Sequence, residues 1–285
     1  MDSADDQILP ERMCPEAALA ALEWQIDMGA DEAIGDHPVN RFDLPETAQR
    51  AAGKGDGAPA PPGQPPARGA TEADLPAVDP VTEAERAAAA ADTLEELRAA
   101  MAGFDHCELK KGARNLVFAD GNPAARVMVI GEAPGRDEDR AGRPFVGRAG
   151  QLLDRMFAAI GLARGAPDPE QALYITNILP WRPPQNRDPT SEEIAMMRPF
   201  VLRHVDLVAP DVIVLMGNIA CQALLGQRGI TRLRGHWHEL GSRPVLPMFH
   251  PAYLLRNPAA KREAWADLLS LHTRLKNQEK PDGQD

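Results

Sequence analysis

The chain has 285 residues, 44% of them apolar, and a formal net charge of -11. That is length enough for one large domain with an appendage. Its three cysteines, Cys14, Cys107 and Cys221, lie far apart, which excludes a disulfide framework and a CxxC zinc site. No apolar run approaches the roughly 20 residues of a membrane span, and the opening MDSADDQILPER is acidic and polar, unlike a signal peptide. A soluble, cytoplasmic protein is expected, with no membrane partner.

The acidity is uneven. Residues 1–100 carry 21 Asp and Glu against 7 Lys and Arg, whereas residues 101–285 carry 21 against 24. The second part suits an anionic partner and the first does not.

Three segments follow in chain order. Residues 1–43 form an acidic N-terminal segment with one amphipathic helix, Pro15 to Met28, whose stripe is Leu19, Leu22 and Ile26. That helix either packs on the main domain or docks a partner protein. Residues 44–81 read as a linker, because GKGDGAPAPPGQPPARG cannot build a core. Residues 82–285 form the globular domain. It opens on two capping boxes, Thr82 with Glu85 and Thr93 with Glu96.

From Arg126 onward, short apolar runs alternate with helical patterns. Strands are predicted at Val127–Ile130, Leu173–Thr176, Asp211–Met216 and Val245–Phe249. Helices are predicted near 148–161, 191–208, 218–225 and 259–276, with Ser191 as a cap. The alternation indicates an α/β fold on a parallel sheet with right-handed crossovers. Each strand runs into a polar loop: Gly131-Glu132, Asn177, Gly217-Asn218 and His250-Pro251. Open α/β sheets bind ligands at such carboxyl ends. The first, second and fourth loops carry side chains suited to chemistry.

Those loops contain GEAPGRDED followed by GRPFVGRAGQLLD, then YITNILPWRPPQNRDPT, then FHPAYLLRNP. Together, over about residues 94–276, they closely resemble the family 4 uracil-DNA glycosylases. The resemblance implies a three-layer α/β/α sandwich around a four-stranded parallel sheet. It makes 82–285 a catalytic domain that cuts the N-glycosidic bond of deoxyuridine in DNA. Uracil-containing DNA is then the partner, and a protein partner for the acidic N-terminal segment is the second expectation.

Roles can be argued residue by residue. Phe145 would stack on the flipped base; the alternative is an ordinary core position. Asn177 would read uracil by accepting from N3–H while donating to O4, a pattern cytosine does not offer; the alternative is a turn residue. His250, at the histidine of the family's HPA motif, would stabilise charge developing on uracil O2. Glu132 would orient the attacking water or face the cationic sugar, with Ala133 at the position where other branches place their carboxylate. The alternative for Glu132 is a helix-capping acid. Gly131 and Ala133 would offer backbone N–H groups to the base, and Glu138 would stand near C5 of the pyrimidine. Arg143, Arg148, Arg182 and Arg187 are candidates for phosphate contacts. Leu255 or Arg256 would enter the duplex as a wedge; the alternative is a helix turn packed on the core.

The chain departs from the family in one place. Family 4 members usually hold a [4Fe–4S] cluster on four cysteines, but here the corresponding positions read Phe104, Cys107, Trp181 and Met196 or Met197. Such a cluster needs four ligands, so no cofactor and no metal is expected, with Phe104, Trp181 and Met197 filling the space. Asp139-Arg140-Ala141-Gly142-Arg143 leads directly into Pro144-Phe145, without the basic insertion of relatives that trap DNA covalently, so turnover is expected. The competing functions are a glycosylase for another deaminated base, such as hypoxanthine or xanthine, and a non-catalytic DNA- or protein-binding module on the same fold.

Overall fold

The computed structural model describes residues 79–278. The helix expected at 15–28 and most of the linker lie outside the described residues. Among the described residues no helix is long and apolar enough to cross a membrane.

Helix α1 (Pro80–Ala89) starts on Pro80, with the Asp79 side chain accepting the amide of Thr82. Thr82 therefore sits inside the first turn, and the capping box expected at Thr82–Glu85 is replaced by an Asp79 cap. A Pro at the first helical position lacks only an N–H that would be unpaired anyway, which moves the start back to Pro80. The second box holds: Thr93 and Glu96 cap α2 (Leu94–Gly103) reciprocally. A short turn, α3 (Leu109–Gly112), and strand β1 (Asp120–Gly121) lead into β2 (Val127–Gly131).

The loop after β2 holds a short helix, α4 (Arg136–Ala141), where none was expected. The next elements match the periodicity: α5 (Arg148–Ala158), β3 (Leu173–Asn177), α6 (Ser191–Val208), β4 (Val212–Met216) and α7 (Asn218–Leu225). After these come α8 (Ile230–Leu233), β5 (His238–Leu240), β6 (Arg243–Met248), α9 (Pro251–Arg256) and α10 (Lys261–Gln278). Thr190, and not Ser191, caps α6, because its hydroxyl reaches the amide of Glu193 while the Glu193 carboxylate returns to the Thr190 amide.

The strands form one sheet in the order β1-β3-β2-β4-β6-β5. Its middle four strands are parallel, as expected. The expected sheet of four is extended to six by β1 and β5, which add antiparallel at the two edges. Both are too short, at two and three residues, to carry an alternating apolar pattern of their own.

β2, β3 and β4 are buried along their whole length. Their side chains divide by strict alternation. Met128, Ile130, Tyr174, Ile213 and Leu215 face one apolar core with Leu97 of α2 and Phe200 and Val201 of α6. Val127, Val129, Leu173, Ile175, Val212 and Val214 face the other core with Leu153 and Phe157 of α5 and Leu268 and Leu271 of α10. Each fully buried aliphatic side chain contributes about 1.5–3 kcal/mol, so the two layers hold the strand ends in fixed positions.

Candidate active site at the carboxyl ends of the parallel strands

The register aligns the site. Gly131 ends β2 directly beside Asn177, which ends β3. The ladder continues past the strands: the amides of Ile178 and Leu179 donate to the carbonyls of Gly131 and Glu132 at 2.9 and 3.0 Å. On the far side, the Gly217 amide donates to the Met248 carbonyl at 2.9 Å, which brings the loop after β4 next to His250 after β6. A cleft of about 620 Å³ opens between these ends, within the usual range for a small-ligand site. Its lining includes Glu132, Ala133, Glu138, Phe145, Asn177 and His250.

Asn177 is 4% exposed, and its Oδ1 has no hydrogen-bond partner among the described residues. A buried acceptor left unpaired costs about 1–3 kcal/mol, so this atom is set for a donor that enters the cleft. Phe145 is buried beside it, with its ring centroid 5.5 Å from that of His250. Gly131 lies directly against this pair. A Cβ on it would come within 2.5 Å of Phe145 Cζ and closer still to Asn177 Oδ1.

His250 is the N-cap of α9: its Nδ1 accepts the amide of Ala252 at 3.1 Å. Burial pulls its pKa down to about 4, and the nearby Arg256 charge acts in the same direction. The imidazole is therefore neutral at pH 7. With Nδ1 occupied as an acceptor, its hydrogen is on Nε2. The Glu132 carboxyl is pushed up to about 7, by burial first and then by Asp188, with Arg228 partly offsetting them. A carboxyl that titrates near 7 is suited to proton transfer.

Other expected site residues stand differently. Glu138 lines the cleft, but its carboxylate accepts the amides of Gly135, Val146 and Gly147 at 3.1, 2.9 and 2.8 Å. Arg187 also lines the cleft, yet its guanidinium is bound at both ends to Glu193, at 2.9 and 2.6 Å. Arg182 donates to Asn186 at 2.8 Å, and Arg143 lies 3.9 Å from Asp120. Arg143, Arg148 and Arg182 are not among the lining residues. The two wedge candidates are separated: Arg256 is exposed at the cleft, whereas Leu255 packs against the cluster of Leu152, Phe249 and Leu254.

Sequence reasoning missed Asp188 and the loop from Arg228 to Ile230, all of which line the cleft. Asn218 holds that loop by accepting the amides of Gly229 and Ile230 at 3.1 and 2.8 Å. The signal was the third strand-end loop, Gly217-Asn218, whose glycine has a φ of 90° and approaches the Cβ of His250.

The positions at which the family resemblance implies a cluster are buried in one apolar core: Phe104 4%, Cys107 0%, Trp181 3% and Met197 0% exposed. One thiol among a phenyl, an indole and a thioether does not fit a four-ligand iron–sulfur cluster. Burial raises the Cys107 thiol pKa, which further disfavours the thiolate. The Phe104 ring packs edge-on against Phe200 at 5.4 Å.

Comparisons with known proteins agree with this geometry. The family model of the uracil DNA glycosylase superfamily matches residues 118–269. A type-4 uracil-DNA glycosylase of Thermotoga maritima is 42% identical over 156 residues, covering 53% of this chain and 77% of that protein. One from Archaeoglobus fulgidus is 38% identical over 185 residues, covering 62% and 90% respectively. A type-5 uracil-DNA glycosylase of Pyrobaculum aerophilum is 33% identical over 146 residues, covering 47% and 64%. The matched region carries the strand-end loops that build the cleft, and on that ground the chain belongs to the uracil-DNA glycosylase superfamily, in its family 4-like branch.

Proposed function

We propose that this protein is a monofunctional uracil-DNA glycosylase, which hydrolyses the N-glycosidic bond of deoxyuridine in DNA and so begins base-excision repair. The observation that carries this reading is the buried, unpartnered Oδ1 of Asn177 beside the Phe145 ring. Uracil offers an N3–H donor there. Cytosine offers an acceptor at N3, which would leave two lone pairs facing each other.

In this reading the nucleotide leaves the stack and its base enters the cleft against Phe145. Backbone around Gly131 and Ala133 borders the base. As the N1–C1′ bond breaks, the electron pair stays with uracil, largely at O2. The Nε2–H of neutral His250 donates to that oxygen, and a donor aimed at developing charge in a dry site is worth about 3–4 kcal/mol. Water adds to C1′ and passes a proton to the Glu132 carboxylate. The products are an abasic sugar and a uracil anion that takes up a proton from solvent. Among the described residues no lysine lies in the cleft lining to form a Schiff base and cut the strand.

Arg256, exposed at the cleft, is the better placed of the two wedge candidates and also suits a phosphate. We assign catalysis to residues 82–285. A repair role places the protein with the DNA, in the cytoplasm. The acidic segment 1–43 remains a candidate for a protein partner.

The test is a labelled oligonucleotide with one uracil, incubated with the protein in EDTA, treated with alkali and run on a denaturing gel. Cleavage at the uracil is the expected result. Failure on uracil with release of hypoxanthine or xanthine would replace the substrate, and failure on all three would favour a binding module. A shifted band that survives denaturation would mean covalent trapping in place of turnover.

A further inference from the structure

We propose that Glu138 and Arg164 form a two-sided clamp on Phe145, which makes both of them positioning residues for base binding; the functional half of this inference rests on the glycosylase reading above. Phe145 has a φ of 53°. That is the left-handed region, which bulky L side chains rarely adopt. Such a conformation persists only where neighbours hold it, and here they hold it from both directions.

On one side, Arg164 donates to the carbonyls of Pro144 and Phe145 at 2.9 and 2.8 Å. Its mostly buried guanidinium is itself fixed by Asp120 at 3.0 Å and Asp154 at 2.8 Å. On the other side, one carboxylate oxygen of Glu138 accepts the next two amides, Val146 and Gly147, while the other accepts Gly135. A cation therefore holds the carbonyls around Phe145 and an anion holds the amides that follow. Gly150 completes the seat, because a Cβ there would overlap the Phe145 carbonyl. The result is a phenyl ring fixed over Gly131 and beside Asn177 before any base arrives, so no ordering of that surface is needed on binding.

The test uses the full chain with Arg164→Gln, Glu138→Gln and Phe145→Ala, alone and combined, on a single-stranded uracil oligonucleotide. Each clamp variant is expected to lower kcat/KM by about 10- to 100-fold. In the Phe145→Ala background the same substitution is expected to cost less than about threefold, since its effect passes through the ring. Equal losses in both backgrounds would overturn the clamp. A second readout does not depend on activity: the fluorine NMR signal of Phe145 in protein labelled with 4-fluorophenylalanine, assigned by its loss in Phe145→Leu. It should shift or broaden in both clamp variants and stay unchanged in Arg155→Gln, on the exposed side of α5. An unchanged signal in the clamp variants would refute the proposal. Wild-type protein that releases no uracil would sink the glycosylase reading, while the fluorine signal would still decide the clamp.

Discussion

The Nδ1 atom of His250 accepts the amide hydrogen of Ala252 at 3.1 Å, so the side chain that faces the cleft also caps helix α9. The two jobs can be separated. Asn is a good N-cap and Ala is not, a difference of about 1 kcal/mol. His250→Asn should keep a melting temperature near that of the wild type, whereas His250→Ala should melt lower. Both should lose about 10²- to 10³-fold in kcat on uracil DNA. Thermal melts and single-turnover rates check this, and an asparagine variant with wild-type kcat would remove His250 from the chemistry.

Glu132 sets a pH limb. Its carboxyl titrates at about 7, so the base form rises through neutrality and the single-turnover rate should rise with it. Glu132→Gln should flatten that limb and lower the plateau by about 10²- to 10⁴-fold. Stability moves the other way. A carboxyl raised in the folded state contributes most below its unfolded pKa, and the contribution is lost as pH rises through about 7. Glu132→Gln should therefore gain stability relative to wild type between pH 6 and pH 8, measured by urea unfolding at both values.

His250 and His204 act in the opposite sense on the acid side. Burial depresses them to about 4 and about 3, so both are neutral in the folded protein at pH 7. Their contribution is complete above pH 6.5 and is lost as pH falls toward those values. His204 is a buried structural group, bonded to the Tyr174 hydroxyl at 2.8 Å and stacked on Phe118. Melting curves should show acid destabilisation between pH 6.5 and 4, reduced in His250→Asn.

Two glycines make contrasting predictions. A methyl group on Gly131 meets the Phe145 ring and the Asn177 amide, which are the side chains that border the base and not backbone. Gly131→Ala should fold but lose more than about 10²-fold in activity. A methyl group on Gly150 meets the Phe145 carbonyl, which is backbone and held by Arg164. Gly150→Ala should lose at least about 1–3 kcal/mol of stability. Activity and urea unfolding of the two variants separate the cases, and the same balance in both would contradict this reading of the packing.

Among the arginines, Arg256 and Arg187 should behave differently in salt. Arg256 is exposed at the cleft with no salt-bridge partner among the described residues, whereas Arg187 is committed to Glu193. Arg256→Ala should weaken DNA binding and lower the slope of log K against log salt by about 1. Arg187→Ala should leave that slope near wild type and instead lower stability, since Glu193 would be left buried without its cation. Binding titrations over a range of salt decide between them.

The apolar runs at 127–130, 173–176 and 211–216 determined the parallel sheet, because burial on both faces leaves a continuous hydrophobic signature that is local in sequence. The polar residues that end those runs marked where Glu132, Asn177 and His250 meet, since strand ends in such a sheet share one edge. Tertiary structure alone decided what each charged group is bonded to. Glu138 looked like a wall for the base and turned out to hold three amides; Arg187 looked free for phosphate and faces Glu193. Arg164, Asp188 and Arg228 could not be assigned from the sequence, because their partners and neighbours are set by how loops fold back across the sheet edge. Hydrophobic period is a property of neighbouring residues, whereas the pairing of a charge depends on distances that exist only once the chain is folded.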